Sequence, residues 1–507
     1  MAAPAKKLAE SLEVLKTLQG RGVVAIRSGD LTRTHRERLV RGGFLHQVMK
    51  GWYIPVRYDQ TAGESTAWYT SFWDFCAAYL ARRFSEDWCL SPEQSASLHV
   101  GNRTVPRQLL VYTPRGGNKP TALPHNTSLF DVRYALPEGR QVVELGGLRL
   151  YSLPAALVAC GATFFRQQAI DARAALAMFH DASDVLTVLL EGGHSTVAGR
   201  LAGAFRNIGR GRIADDILDT MRSAGYDVRE TDPFAAKPDL ALPLREPSPY
   251  VNRVRLMWQK MRAPVSERFP AAPGRPSNID GYLKHVDEVY VNDAYHSLSI
   301  EGYRVSRDLI ERVRNGAWNP DEHEDDYERR DALAARGYFE AFQLVKDSVG
   351  RALRGDNPGD VADEHHGAWY RALWAPSVTA GLVTPADLAG YRNGPVYIRR
   401  SRHLPPPREA VRDLMPALFD LLRAEDDPAV RVVLGHFVFV YIHPYTDGNG
   451  RIGRFLMNLM FAAGGYPWTV IPVERRDDYM AALEVASTGQ NIVPLTEFLR
   501  DSVLSRC

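Results

Sequence analysis

Apolar and polar residues follow a changing rhythm along this chain, and each change marks an element. Leu8, Leu12, Val14, Leu15 and Leu18 recur at helical spacing and stop at Gly20 and Gly22, which predicts a helix over residues 5–20. Val24 to Ile26 begins a second short element, and Asp30 to Arg41 reads as a capped, strongly basic helix closed by Gly42-Gly43. Phe44 to Pro55 then has the look of a hairpin. Between residues 61 and 230 the rhythm mixes. Leu109–Tyr112, Leu129–Arg133 and Leu148–Ser152 alternate as strands do, whereas 154–159, 169–179 and 183–190 repeat as helices do. Further helical periods cover 254–261, 279–300, 331–349 and 361–373. Two apolar runs, Val432–Ile442 and Phe455–Phe461, flank a polar, glycine-containing loop. Proline-rich breaks at 235–248 and 270–276 interrupt regular structure.

Helix, helix, basic helix and hairpin together give the layout of a winged helix-turn-helix. Arg33, Arg36, Arg38 and Arg41 on the basic helix, with Lys50 on the wing, are then candidate DNA contacts, a protein-docking role being the alternative. The stretch behind it, over roughly residues 10–230, is similar to the antitoxin of AbiE type IV toxin–antitoxin systems, a likeness of element order without a catalytic string. His99 there reads as structural. Composition narrows the class without choosing a partner. The chain is 507 residues long, 45% hydrophobic and 24% charged, ordinary for a globular protein, and its net charge of +2 points neither to nor away from nucleic acid. Cys76, Cys89, Cys160 and Cys507 lack metal-ligand spacing and read as free thiols of a reducing compartment. No signal peptide and no membrane-length apolar run is evident, so a cytoplasmic protein without a membrane partner is expected. The acidic run 321–326 reads as a solvated loop, and the adjacent His365 and His366 as a poor metal pair.

The strongest chemistry lies in His443-Pro-Tyr-Thr-Asp-Gly-Asn-Gly-Arg-Ile-Gly-Arg454. It reads as helix, tight loop, helix, with glycines exposing amides at a helix N-terminus, where unpaired N–H groups and the helix dipole attract an anion. Arg451 and Arg454, three apart, share one face of the second helix and can aim at the same anion. His443 stands at the loop entrance as a candidate base. His436, seven residues earlier, reads as buried structure. The string resembles the Fic-domain signature, with Tyr445 where Phe is usual. That resemblance implies a protein adenylyltransferase: His443 takes the proton of a target Ser, Thr or Tyr hydroxyl, and the hydroxyl attacks the α-phosphorus of ATP. It further implies that Asp447 holds Mg²⁺, and that Gly448, Asn449, Gly450, Arg451, Gly453 and Arg454 bind the nucleotide. Tyr479, in a later helix, is added as a candidate for the adenine pocket.

Ser297 and Glu301, four apart, lie on one face of a helix over 279–302 and resemble the family's inhibitory motif. The implication is that Glu301 reaches Arg454 and takes the place of the ATP γ-phosphate. Gly394, Val396, Tyr397 and Ile398 stand where the family carries a β-hairpin flap that aligns the target by strand addition. The expected fold is therefore multidomain: an α+β winged helix (1–58), an α+β antitoxin-like domain (59–235) and an all-α Fic domain (236–507) with an inhibitory helix, a core over 330–507 and a β-hairpin flap. The resemblance further implies transfer of AMP, because the family's phosphorylating Doc type lacks the glycine and arginine that stand here as Gly450 and Arg454. Transfer of another nucleotide moiety, removal of AMP by the same site, or a DNA-binding autoregulator with the Fic domain as nucleotide sensor are the alternatives. The sequence does not fix the oligomeric state, and a homodimer is compatible with it.

Overall fold

A computed structural model describes residues 4–56, 64–235, 248–317 and 329–504. The boundaries expected near 58 and 235, the acidic run 321–326 and Cys507 lie outside the described residues. The chain divides into two compact units: Met1–Arg253 with Tyr397–Leu404, and Val254–Val396 with Pro405–Cys507.

In the first unit, α1 (Pro4–Gly20) is followed by β1 (Ile26–Arg27), α2 (Arg33–Arg41), β2 (Leu45–Met49) and β3 (Trp52–Pro55). The second short element is a strand, not a helix: the β-branched run ending at Ile26 pairs with β3, giving an antiparallel sheet of order β1-β3-β2. Leu15, Ile26, Leu31, Leu39 and Leu45 close a small core between this sheet and the two helices. The helix α3 (Thr66–Phe84) and the strands β4 (Cys89–Leu90), β5 (Gln108–Thr113), β6 (Pro120–Leu123) and β7 (Thr127–Arg133) follow, with α4 (Pro92–His99) inserted after β4. The sheet order is β4-β5-β7-β6, and β5 and β7 run parallel. The aromatic face of α3, with Trp68, Phe72 and Phe75, is buried in a core that includes Leu109, Val111 and Leu129. The hairpin of β8 (Val142–Leu145) and β9 (Leu148–Tyr151) leads into helices from Leu153 to Ser223.

Among the described residues of this unit one ionic contact is fully buried. Asp171 accepts from Arg253 Nε at 3.0 Å and from Asn102 Nδ2 at 2.6 Å, with its side chain 1% exposed. Removing one partner of a buried pair leaves a desolvated charge. Asp171→Ala is therefore expected to destabilise the unit by about 3–5 kcal/mol, measured as a lower urea midpoint followed by tryptophan fluorescence.

The regular elements of the second unit are helices, with no strand among its described residues: α5 (Pro249–Arg268, from Val254 on), α6 (Ile279–Ile300), α7 (Arg307–Arg314), α8 (Arg329–Arg354), α9 (Pro358–Thr379), α10 (Arg408–Ala424), α11 (Pro428–Ile442), α12 (Asn449–Gly464), α13 (Arg476–Gly489) and α14 (Val493–Leu504). The helix α11 is apolar on every side and is buried on every side, which explains why its sequence shows no polar face. The expected β-hairpin flap does not form: residues 394–398 make no strand. Pro395 supplies no N–H for a ladder, and Pro405 to Pro407 bar a returning strand. No described helix is long and apolar enough to cross a membrane.

Candidate active site

The loop between α11 and α12 is fixed by three backbone devices. His443 caps α11 in the left-handed region (φ 53°), where a non-glycine residue is strained, and its N–H closes on Phe439 O at 3.0 Å. Gly448 (φ 82°) starts α12, and no side chain caps that N-terminus, so its amides stay available. Between them, both ends of the Asn449 amide clamp Tyr445: Oδ1 accepts from its N–H and Nδ2 donates to its carbonyl, each at 2.8 Å. Both ends of the Asn449 side chain are thus engaged within the loop.

His443 has a defined tautomer. Its Nδ1 lies 3.2 Å from Val440 O, and a carbonyl only accepts, so Nδ1 carries the proton and Nε2 keeps the lone pair. Burial pulls the imidazole down to about 4, against the pull of the Val440 carbonyl, so the ring is neutral at pH 7. Arg392, not singled out from sequence, holds the loop entrance from below: its Nε donates to His443 O at 2.8 Å and its N–H to Pro444 O at 2.9 Å. It is 3% exposed, and burial depresses its guanidinium to about 10. No periodicity in Tyr391-Arg-Asn-Gly394 announces this role.

The arginines divide. Arg451 is 1% exposed, and its Nε and Nη1 make no hydrogen bond. The guanidinium lies 4.9 Å from the ring of Trp374 and 5.1 Å from that of Tyr303, two side chains that sequence reading left unassigned. A buried guanidinium with idle donors is a site waiting for an acceptor. Arg454 is already engaged. Its Nε donates to Ser297 Oγ at 2.8 Å, and its Nη2 to Ser297 O at 3.0 Å and Glu301 Oε1 at 2.7 Å.

Glu301 is held there by the end of α6. Tyr303 N–H bonds Leu298 O and Gly302 N–H bonds Ser299 O, with Gly302 at φ 88°: a Schellman closure that fixes Glu301 as the C-cap. Its side chain is 26% exposed although its backbone is open to solvent. Burial raises the carboxyl, but Arg454 and then Arg451 outweigh it, so the group sits below the usual carboxylate range. A Cβ on Gly450 would lie 2.2 Å from Glu301 Oε1, so glycine is what lets the carboxylate come this close to the loop.

Two further candidates lie beside the loop, against His436. Gly453 faces α11, where an added Cβ would meet Val440 and His436, and its carbonyl accepts from His436 Nδ1 at 2.9 Å. Tyr479 is buried, and its hydroxyl donates to His436 Nε2 at 2.6 Å. His436 is therefore structural, and burial lowers it to about 4. A neutral ring in the fold and an ordinary one in the unfolded chain give stability that is present above pH 6.5 and lost as pH falls toward 4. The expected loss from His436 between pH 7 and pH 5 is about 2 kcal/mol, checked by urea midpoints at both pH values, with His436→Phe reducing the difference by that share while the buried His443 keeps its own.

Asp447 is exposed, and its Oδ1 accepts from Gly448 N–H. A single carboxylate suits Mg²⁺, which keeps waters and borrows oxygens from a phosphate chain. Among the described residues no cluster of three His, Cys, Asp or Glu would hold a metal alone. On the N-terminal unit, Arg33 pairs with Glu37 at 2.7 Å, and Arg36 and Arg38 donate to the carbonyls of Ser28 and Lys7. Arg41 and Lys50 are exposed. Of the flap candidates, Gly394 and Val396 belong to the second unit, Tyr397 and Ile398 to the first.

Residues 369–461 match the family model described as the Fic/DOC family. Among curated relatives, the protein adenylyltransferase Fic of Nematostella vectensis is 27% identical over 251 residues, covering 49% of this chain and 55% of that protein. Protein adenylyltransferase fic-1 of Caenorhabditis briggsae is 35% identical over 207 residues, covering 40% and 38%. A solved Fic-1 fragment from Caenorhabditis elegans aligns over 67% of this chain and 96% of its own at 20% identity, with a TM-score of 0.36. The chain spans about half the length, or less, of the curated relatives it matches.

Proposed function

We propose, from the premise that this chain carries a Fic/DOC-family domain at residues 369–461, that it is a protein adenylyltransferase restrained by its own Glu301. The observation that carries the reading is Arg451, whose buried guanidinium keeps two N–H groups without an acceptor at the amino end of α12. A polyphosphate supplies what that guanidinium lacks, and the uncapped amides of Asn449 and Gly450 extend the same anion cradle.

In this reading His443 Nε2 takes the proton of a target hydroxyl as its oxygen attacks the α-phosphorus. The new bond joins AMP to the target oxygen, and the bond from the α-phosphorus to the bridging oxygen breaks to release pyrophosphate. Asp447 would hold Mg²⁺ against the phosphates, and the ion would neutralise charge on them. Arg451 and Arg454 would hold the phosphate tail. Gly394, Val396, Tyr397 and Ile398 would guide the target as an extended segment rather than as a hairpin. Glu301 competes with the γ-phosphate for Arg454, because a guanidinium that forks onto a carboxylate forks onto a phosphate equally well.

The test is which phosphorus follows the label. ATP labelled at the α-phosphate should mark protein, and ATP labelled at the γ-phosphate should not. The converse result would make the domain a kinase, and label from UTP alone would change the donor. A second reading, DNA binding by the N-terminal unit, is favoured by the exposed Arg41 and Lys50 beside α2. It expects a salt-sensitive promoter-fragment shift that Arg41→Ala weakens.

A further inference from the structure

Arg392 carries a charge that its surroundings disfavour. It is 3% exposed in the irregular stretch ahead of α10, and burial depresses its guanidinium to about 10. Among the described residues it forms no ion pair. Glu409, the acid that favours its charge, is bonded to Arg408 Nε at 2.6 Å instead. Desolvating a guanidinium without a counter-ion is costly, and an apolar side chain would fill the space without that penalty. The arginine therefore calls for a use.

Its hydrogen bonds supply one. Nε donates to His443 O at 2.8 Å, Nη1 to Gly394 O at 3.1 Å, and Nη2 to Pro406 O and, at 3.4 Å, to Ile442 O. Its own N–H donates to Pro444 O at 2.9 Å, so three successive carbonyls, 442 to 444, end on this one residue. Carbonyls at a helix end lack ladder partners. Arg392 provides them at the left-handed turn (φ 53°) from which the His443 ring projects. A planar fork with five donors can reach three separate segments at once, as a lysine ammonium cannot. On the other side, Arg408 Nη1 and Arg412 Nη2 fasten Asn393 by its carbonyl at 3.0 Å and its Oδ1 at 2.8 Å, so the stretch 392–394 is held from two directions. The charge reaches the ring as well. After burial, Arg392 pulls the imidazole down, against the Val440 carbonyl, Glu301 of α6 and Asp447 of the loop.

We propose that Arg392 is a positioning residue for AMP transfer: its fork holds the His443 and Gly394 carbonyls in one frame. The base Nε2 and the segment that guides the target then keep a fixed spacing. This role rests on the adenylyltransferase reading. It requires no contact with ATP, so it bears on the rate of transfer and not on nucleotide affinity.

Variants are compared in the Glu301→Gly background, where the carboxylate no longer holds Arg454. Arg392→Lys keeps the charge and loses the fork, and Arg392→Met loses both. Label incorporation in lysate at saturating α-labelled ATP with Mg²⁺ is expected to fall about 10-fold with lysine and about 100-fold with methionine. Calorimetry should give an ATP affinity within about 2-fold of the Glu301→Gly chain for both. In ¹⁵N-histidine spectra His443 should stay the Nδ1–H tautomer with lysine and lose that bias with methionine. Undiminished transfer by Arg392→Lys would overturn the proposal. So would a parallel fall of transfer and ATP affinity, the mark of an arginine that only supports the fold. If methionine abolishes the thermal transition, the lysine variant decides on the same two readouts. A Glu301→Gly chain that transfers no label contradicts the adenylyltransferase reading instead. The spectra then decide, and an Nδ1–H signal unchanged in Arg392→Met overturns the positioning role.

Discussion

A Glu301→Gly chain is expected to transfer label from α-labelled ATP about 10- to 100-fold faster than its parent. The expectation follows from Arg454, whose Nε and Nη2 already donate to Ser297 and Glu301, so that only Nη1 is left for a phosphate. A γ-phosphate must displace the carboxylate from a guanidinium that is 5% exposed, and a coupling of about 1.4–2.8 kcal/mol between two such ligands corresponds to that range. Glycine removes the competitor and keeps the backbone. Glu301 sits at the helix C-cap with a negative φ (φ −81°, ψ −1°), and the Schellman closure around Gly302 uses main-chain groups only. The pH dependence has a definite sign. With its carboxyl held below the usual range, Glu301 stays charged through neutral pH, so the restraint persists there. It weakens only as pH falls through that lowered value. Initial rates of label incorporation for the two chains should therefore keep the same ratio at pH 7 and pH 5.5. Equal rates at pH 7 would remove Glu301 from the mechanism.

His443→Ala should lower transfer by about 10²–10⁴-fold, in the parent and in the Glu301→Gly background alike. The Nδ1–H contact to Val440 O fixes which nitrogen is basic, and the depressed pKa keeps that nitrogen free at every pH above about 4. The low-pH limb of the rate should accordingly lie below the 6.5 of an ordinary histidine. Rates from pH 4.5 to 8 measure this directly. Alanine also relieves no strain at this position, since φ 53° disfavours any residue with a Cβ. An unchanged thermal midpoint alongside lost transfer would separate the chemical role from a folding role.

Legibility in the sequence depended on whether a signal was local. The helix α6 could be bounded at 279 and 300 because its start and stop are written beside it: Asn278 caps Gly281 N–H at 2.8 Å, and Gly302 takes the left-handed turn. The same locality made the spacing of Ser297, Glu301, Arg451 and Arg454 readable, and their meeting needed only two helices to pack. The flap shows the opposite case. Val396 and Ile398 alternate as a strand would, yet Pro395 denies the ladder a donor. Arg392, Trp374 and Tyr303 escaped notice because their roles come from distant packing, with no period in the sequence. The packing roles of Gly453 and Tyr479, one between α11 and α12 and the other against His436, likewise come from tertiary contacts that no period in the sequence announces. In the N-terminal unit a three-residue apolar run was too short to declare itself helix or strand, and pairing with Trp52 and Tyr53 decided it.

The measurement that bears most directly on the central claim is α-labelled ATP and Mg²⁺ given to four chains in lysate: parent, Glu301→Gly, His443→Ala and the double variant. Strong labelling of one or more protein bands by Glu301→Gly alone, weak labelling by the parent and none by the two His443 variants is the predicted result. No label with Glu301→Gly, or label that survives in the double variant, would contradict a transferase that works through His443 and is restrained by Glu301.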